Sequence, residues 1–462
     1  MRRRIQHVHF VGIGGVGMCG IAELLCDGGY VVSGSDLKEG PAIQRLRSLG
    51  VEVSIGHAAE NVQNADVVVY SSAIRPTNPE LQVAEDRKIP VIPRAEMLAE
   101  VMRLKEGIAV GGSHGKTTTT SLIAHILDQA GLEPTAVIGG RVLGSGNDPS
   151  GARLGRGDLL VAEADESDGS FLRLTPAIAV ITNIDPEHLD HYGSFEALED
   201  AFVQFGNGVP FWGVSVICID HPGLQAILPR LDRRVCGYGF SSQADLQATN
   251  LETESDGMRF DLRHHGEELG EVRIRLLGRH NVANALAALA VAFELEIPFA
   301  TAALALASFV GIERRFETKG VCRGVRVVDD YAHHPSELLA TLSSARAAHT
   351  GRIVVVFQPH RYSRTRDCFE DFTTAFNDCD VLIVTEIYAA GEEKIPGAES
   401  RLLAEAIRAH GHRDVHFVAN LDSIAETLPG QLREGDLVLT LGAGSINSLG
   451  PKLLLGLEEQ GE

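Results

Sequence analysis

Residues Ile108 to Thr120 read IAVGGSHGKTTTT. A short apolar run leads into glycines, then Gly-Lys-Thr, then residues able to open a helix. Such a loop wraps backbone N–H groups around phosphates, with the lysine charge near the outer phosphates and the threonine hydroxyl placed to ligate Mg²⁺. The complete pattern wants a glycine where Val110 stands, so this is a shortened form that Gly112 opens. Gly112, Ser113, His114, Gly115, Lys116, Thr117 and Thr118 are the candidate phosphate contacts. A Gly-Lys-Thr met by chance in a flexible loop is the alternative, but the acidic clusters that follow argue against it.

Two such clusters lie downstream. Glu163-Ala-Asp165-Glu166-Ser-Asp168 follows the apolar run Leu159–Ala162, and carboxylates at a strand end suit a hard cation. Glu163, nearest the strand, is the candidate metal ligand; a solvated acidic turn is the alternative. Asn183-Ile-Asp185-Pro-Glu187-His188-Leu-Asp190-His191-Tyr192 follows Ile178–Ile181. Mg²⁺ at phosphate takes mostly oxygen ligands and tolerates one imidazole. His188 is therefore a candidate second ligand beside Thr117 and Glu163, with a helix-cap role as its alternative.

A different glycine loop stands near the start: Gly12-Ile-Gly14-Gly15-Val-Gly17, then Met18, after the strand-like His7–Val11, with Asp36 at the end of the next strand. The pattern fits a dinucleotide, and equally any diphosphate on a helix N-terminus, a UDP-sugar included. Further on, Gly278 to Asn284 is a polar patch before an alanine-rich helix. It serves as a cap, or as a ligand contact through Asn281 and Asn284, which share a face at i, i+3. Arg314 or Arg315, at a block boundary, is suited to a γ-phosphate. Asp329 to Pro335 reads DDYAHHP, and Gln358 to Arg366 reads QPHRYSRTR. Arginines gathered in so acidic a chain suggest an anion site, since a guanidinium fork matches carboxylate and phosphate.

These motifs need strands to carry them. Three α/β blocks follow one another, at about 1–106, 107–315 and 316–462, each alternating apolar strands with helical stretches as parallel sheets do. Expected strands are His7–Val11, Tyr30–Gly34 and Asp66–Tyr70 in the first block, and Leu159–Ala162 and Ile178–Ile181 in the second. The third should carry Val325–Val328, Ile353–Phe357, Val381–Val384 and Leu437–Leu441, with a helix at Ser336–Ala348. Pro93 to Lys105 reads as a linking helix. Region 245–276 alternates polar and apolar residues between turn-formers and reads as an antiparallel flap. The expected fold class is α/β in three domains. The N-terminal and C-terminal ones are Rossmann-like, and the central one is P-loop ATPase-like with a mostly parallel sheet and that flap.

Bulk properties agree. A chain of 462 residues fits about three domains at roughly 150 each. A net charge of −21 argues against nucleic acid and anionic membrane surfaces as partners. The seven cysteines form no CxxC pair, which points to reduced thiols and a cytoplasmic setting. The basic start MRRR is followed by too short an apolar run for a secretion signal. Ala285 to Val310, the most apolar region, is broken by Glu294, Glu296 and Pro298 and reads as two core helices, not a membrane insertion.

In this order, GIGGVGMCGIAE, SSAI, GSHGKTTTT, EADESD, HLDHY, GRHNVANA, RRFE, DDYAHHPSE, QPHRYSRT and GAGSI resemble the Mur ligases, the ATP-dependent amide-forming enzymes of peptidoglycan precursor synthesis. The resemblance covers essentially the whole chain and, within the family, is similar to the member that joins L-alanine to UDP-N-acetylmuramate. A relative that recycles a wall tripeptide onto the same nucleotide sugar is the alternative. An NAD-dependent dehydrogenase would explain only the first glycine loop. Ser113 stands where the family's loop often carries threonine. The resemblance implies a ligase of cell wall biogenesis, cell shape and cell division, using ATP and Mg²⁺, acting as a monomer or weak dimer through an acyl phosphate and domain closure. It also implies roles. Lys116, His188, Arg314, Asp330 and His333 would be catalytic. His280, Asn281, Asn284, Arg315 and Tyr331 would join the phosphate loop in holding ATP. Gly14, Gly15, Gly17, Met18, Asp36, Ser71 and Ser72 would hold the UDP-sugar, and His360, Arg361, Tyr362 and Arg364 the amino acid.

Overall fold

The computed structural model describes residues 5–71, 73–140, 142–143 and 152–460. By contact the chain divides into two compact units. The first comprises Met1–Asn250, Phe260–Val272 and Ala283–Val310; the second comprises Leu251–Arg259, Arg273–Val282 and Gly311–Glu462. The described residues carry three sheets.

The first sheet is parallel, in the order Glu52–Ile55, Val31–Asp36, His7–Val11, Val67–Tyr70, Val91–Pro93. Its three inner strands match the expected ones to within a few residues. The edge strands were not expected: Glu52–Ile55 is mostly exposed and Val91–Pro93 is very short, so neither shows an apolar run. The linking helix spans Arg94–Met102 and buries Met97, Leu98 and Met102.

The central sheet places Glu106–Gly111 between Ile178–Ile181 and Leu159–Glu163, parallel to both. That order brings the phosphate loop, the EADESD turn and the NIDPEH turn to one edge, at the carboxyl ends of neighbouring strands. Ligands of open α/β sheets bind at this edge. Ile108, Ala109 and Val110 are fully buried, as are Val161 and Val180 beside them. Each such valine or isoleucine side chain contributes roughly 1.5–3 kcal/mol. The sheet continues through Val214–Cys218 and Val235–Gly239 to Leu246–Glu254, Gly257–His264 and Glu267–Ile274. The last three are joined by two-residue connections, which link only antiparallel strands, so the flap has the expected form. The helix expected from Ala285 begins at Arg279 and runs to Glu294, so the polar patch forms its first turns. Phe299–Ser308 follows as the second core helix.

The third sheet runs Glu317–Cys322, Val325–Asp330, Leu437–Leu441, Ile353–Phe357, Val381–Val384, Val415–Phe417. Only Glu317–Cys322 is antiparallel to its neighbour. Apolar cores lie on both faces, around Leu338, Phe357 and Phe376 on one and Ile446, Leu449 and Leu453 on the other. Asp330, Phe357 and Leu441 are register partners at adjacent strand ends. The DDYAHH, QPHRYS and GAGSI segments therefore leave the sheet together.

Candidate functional site

The phosphate loop is held from below by the turn after Ile178–Ile181. Ser113 N donates to Asn183 O (3.2 Å), His114 N to Asn183 Oδ1 (2.7 Å) and Thr182 Oγ1 to His114 O (2.6 Å). Asn183 Nδ2 returns a bond to His114 O (3.0 Å) and Asp185 N donates to Ser113 Oγ (2.8 Å). Gly112 has φ +127°, and a Cβ there would lie 2.2 Å from Thr182 Oγ1. Gly115 has φ +83°, with Asn284 Oδ1 2.6 Å from where its Cβ would stand. Only glycine meets both demands. The helix Lys116–Gln129 starts with no side-chain cap at Gly115, so its first turn keeps backbone donors for an anion.

Lys116 Nζ donates to Gly112 O (2.6 Å), Ser113 O (3.2 Å) and both Glu166 oxygens (2.9 Å each). Burial works against its charge, but the Glu166 carboxylate more than offsets this and holds the ammonium pKa above the usual lysine value. Glu166 is also approached by His188, whose Nε2 lies 3.8 Å from Glu166 Oε1 and 3.7 Å from Glu187 Oε2. Glu166, Glu187 and His188 offer ligand atoms all within 4.8 Å of one another. Two carboxylates and one imidazole fit a divalent cation that tolerates nitrogen. His188 occupies the N-cap of the short helix Leu189–Tyr192, but its ring makes no capping bond. Glu163 lies outside this cluster, and its Oε1 accepts from Gly139 N (2.7 Å). Sequence reasoning quoted Glu166 and Glu187 within their motifs without selecting them. Proximity to the strand favoured Glu163, and only the fold shows which carboxylates turn toward Lys116.

Next to the cluster, His114 Nε2 stands 3.2 Å from Asp185 and 3.3 Å from Glu187, and His221 Nε2 3.4 Å from Asp185. Hydrogen bonds from His114 and His221 hold the Asp185 carboxyl well below the usual range despite its burial. Asn284 Oδ1 accepts from Thr119 Oγ1 (3.2 Å), which ties the helix Arg279–Glu294 to the phosphate-loop helix. Asn281 turns elsewhere and donates to Leu277 O (2.8 Å). His280 is exposed beside it.

In the first sheet, Gly12 N and Ile13 N donate to Ser35 O (2.8 and 3.0 Å), and Gly14 N donates to Asp36 Oδ2 (2.9 Å). Asp36 thus braces the glycine loop, in addition to any contact with a sugar. Gly15 is exposed at the head of the helix Val16–Asp27, while the Met18 side chain is buried in the core. A Cβ on Gly17 would lie 3.0 Å from Arg94 Nη1, so Arg94 extends over this loop. That guanidinium went unremarked in the sequence because it belongs to the linking helix. Ser71 Oγ accepts from Ala73 N (3.4 Å); Ser72 lies outside the described residues.

In the second unit, Arg314 is committed to its own surroundings. Its Nε donates to Asp329 (3.1 Å) and its Nη2 to Gly442 O (2.6 Å). Arg315 makes a longer ion pair with Glu337 (3.8 Å) and is one-third exposed. The two guanidinium carbons lie 5.0 and 5.2 Å from the Tyr331 ring centre. Asp330 accepts from Phe316 N (2.7 Å) and Ala332 N (2.8 Å). Burial pushes its pKa up to about 6 against the pull of Arg315 and those two bonds. His333 Nδ1 is 2.9 Å from Tyr331 O, and its ring meets that of His360 edge-on at 5.6 Å. Burial and the neighbouring His333 and arginines lower the His360 pKa to about 4, so it is neutral near pH 7. Its Nδ1 faces Arg364 Nη1 at 3.3 Å. Arg361 is exposed, with φ +70°, whereas Tyr362 is buried. The sheet therefore gathers Asp330, Tyr331, His333, His360 and Arg364 at one edge.

A phosphate loop with its lysine on a carboxylate–histidine cluster, at the carboxyl edge of a mostly parallel sheet, defines a nucleotide-binding α/β protein. The family models matched are the "Mur ligase family, catalytic domain" over residues 7–106, the "Mur ligase middle domain" over 110–292 and the "Mur ligase, glutamate ligase domain" over 314–444. A UDP-N-acetylmuramate–L-alanine ligase of Anaeromyxobacter sp. is 58% identical over 457 residues, covering 99% of both chains. One of Myxococcus xanthus is 56% identical over 452 residues, covering 98% of this chain and 95% of its own. The crystal structure of the Thermotoga maritima UDP-N-acetylmuramate–alanine ligase superposes with a TM-score of 0.82 at 28% identity, covering 98% of this chain and 99% of its own. A murein peptide ligase of Psychrobacter arcticus gives 0.70 at 25% identity, with 98% of each chain covered. The chain belongs to the Mur ligase family.

Proposed function

We propose that this chain joins L-alanine to the carboxylate of UDP-N-acetylmuramate, driven by ATP, in peptidoglycan precursor synthesis. The observation that carries the reading is Lys116, seated on the phosphate loop and on Glu166 beside Glu187 and His188, at the carboxyl edge of the central sheet. The assignment of L-alanine rests on full-length similarity to relatives named for that reaction.

The loop N–H groups and Lys116 bind and orient the ATP phosphates. Glu166, Glu187 and His188 would hold Mg²⁺, with Glu163 and Thr117 as further candidate ligands; the cation would supply charge neutralisation on phosphate oxygens. The muramate carboxylate attacks the γ-phosphorus, the bond to ADP breaks, and an acyl phosphate forms. The alanine amine then adds to the acyl carbon, the nitrogen gives up a proton, and the acyl C–O bond breaks with its electron pair leaving on phosphate. The protein contributes positioning and charge. Gly14, Gly15 and Gly17 with Arg94 would meet the diphosphate of the sugar nucleotide. Arg364, backed by neutral His360, would grip the alanine carboxylate. His280, Asn284, Arg315 and Tyr331 would contribute to the nucleotide site.

No described helix is long and apolar enough to cross a membrane. ATP consumption argues for work in the cytoplasm. The test is release of phosphate in the presence of ATP, UDP-N-acetylmuramate and one amino acid at a time. Release that needs both L-alanine and the sugar nucleotide supports the proposal. Release faster with the wall tripeptide than with L-alanine points instead to the recycling reaction.

A further inference from the structure

The first sheet buries a polar cluster that no step above uses. Its centre is Glu80, fully buried near the start of the helix Pro79–Asp86. Glu80 Oε2 accepts from Ser35 Oγ (2.6 Å), and Oε1 accepts from Asn61 Nδ2 (2.5 Å) and Ala58 N (3.3 Å). His57 Nδ1 lies 3.4 Å from Oε2 and 2.9 Å from Ser35 Oγ. His9 Nε2, itself buried and without a hydrogen bond, points at the carboxylate from 3.8 Å. His9 Nδ1 and His7 Nε2 share the Ser33 hydroxyl at 2.8 and 2.7 Å.

A carboxylate taken this far from water is costly unless its bonds are well made, and an apolar side chain would often serve stability as well. Its partners indicate another use. Ser35, whose hydroxyl donates to Glu80, is the residue whose carbonyl receives Gly12 N and Ile13 N. Asp36, next along, holds Gly14 N. Asn61 and Ala58 belong to the connection after Glu52–Ile55. The helix bearing Glu80 follows the Ser71–Ile74 segment, and Ile74 and Ser71 stand 3.4 and 3.6 Å from where a Cβ on Gly12 would be. The Ser35–Asp36 strand end and the 56–61 connection thus meet on one carboxylate, and Ser35 links that carboxylate to the glycine loop.

We propose that Glu80 is a positioning residue for the sugar nucleotide, setting the glycine loop through Ser35 and the 56–61 connection through Asn61 and Ala58. The proposal rests on the function given above. Glutamine in its place can keep its oxygen toward Asn61 and Ala58 but then presents an NH2 to Ser35, so the Ser35 hydroxyl must reverse from donor to acceptor and the buried charge is lost.

The test is calorimetric binding and steady-state kinetics on the full-length Glu80→Gln and Ser35→Ala variants. The expected result is a rise of about tenfold in Kd and KM for UDP-N-acetylmuramate, the size set by one hydrogen bond to a charged group. The Kd for ATP and kcat at saturating sugar nucleotide should stay within about twofold. Glu80→Asp, which keeps the charge, should recover part of the loss. Folded variants that bind UDP-N-acetylmuramate as the parent does would overturn the proposal alone. So would equal losses toward ATP and in kcat, which mark a merely structural role. Should Glu80→Gln fail to fold, Ser35→Ala carries the same expectation and the same refutation. A parent protein that does not bind UDP-N-acetylmuramate would overturn the function and the proposal together.

Discussion

Replacing Lys116 by Met should damage the fold as well as the chemistry, and the two losses should separate. Lys116 and Glu166 are 18% and 1% exposed and meet at 2.9 Å. Methionine keeps the aliphatic stem and removes the ammonium, which leaves Glu166 a buried carboxylate without its cation. Breaking one side of a buried pair costs about 3–5 kcal/mol, and the partial exposure of Lys116 favours about 3. At roughly 2–4 °C per kcal/mol for a unit of this size, melting should fall by about 6–12 °C. Turnover should fall by at least about a hundredfold, since a preorganised charge on the phosphates is gone. Adding Glu166→Gln should recover most of the melting temperature and none of the turnover. Scanning calorimetry and phosphate release on the single and double variants make the measurement. A single variant that melts with the parent, or a double variant no more stable than the single, would refute the buried pair.

The adjacent arginines should behave differently. Arg314→Ala strips the cation from fully buried Asp329 and should lower the melting temperature, whereas Arg315→Ala should leave it in place and reduce kcat/KM for ATP; paired melting and kinetics decide. Gly115→Ala forces a side chain into φ +83° and against Asn284, and should cost about 1–2 kcal/mol from backbone strain alone, read by denaturant unfolding together with weaker ATP binding. Asp330 has a folded pKa of about 6, above its unfolded value of 3.8. The folded state therefore holds the proton longer, and the Asp330 contribution to stability is full below pH 4 and falls as pH rises to about 6. The parent minus Asp330→Asn stability difference should decline across that window and be flat above it, as unfolding titrations at each pH would show.

The parts of this fold that could be read from sequence are those where burial leaves an unbroken apolar run. Ile178–Ile181 and Leu437–Leu441 fall where the sequence puts them because both faces of those strands are covered. Glu52–Ile55 escaped because an exposed edge strand needs no apolar pattern. Arg279 to Asn284 looked like a preface to a helix and is its first turns, since a run of mostly polar residues is compatible with either state. The phosphate loop was legible because its chemistry is local: Gly112, Gly115, Lys116 and Thr117 act within one turn. The cation cluster was not, because Glu166, Glu187 and His188 meet only through the strand order. Glu80 and Arg94 were invisible for the same reason, as each acts on residues far away in the chain.

The central claim is that one chain couples the phosphate loop to amide formation between a muramate carboxylate and L-alanine. The most direct measurement is phosphate release by the purified protein with ATP and Mg²⁺, adding UDP-N-acetylmuramate and L-alanine separately and together, with the nucleotide product identified by mass. Release only when both are present, with a product heavier by one alanyl residue, is the predicted result. Release that ignores either substrate, or a sugar nucleotide of unchanged mass, would contradict the account.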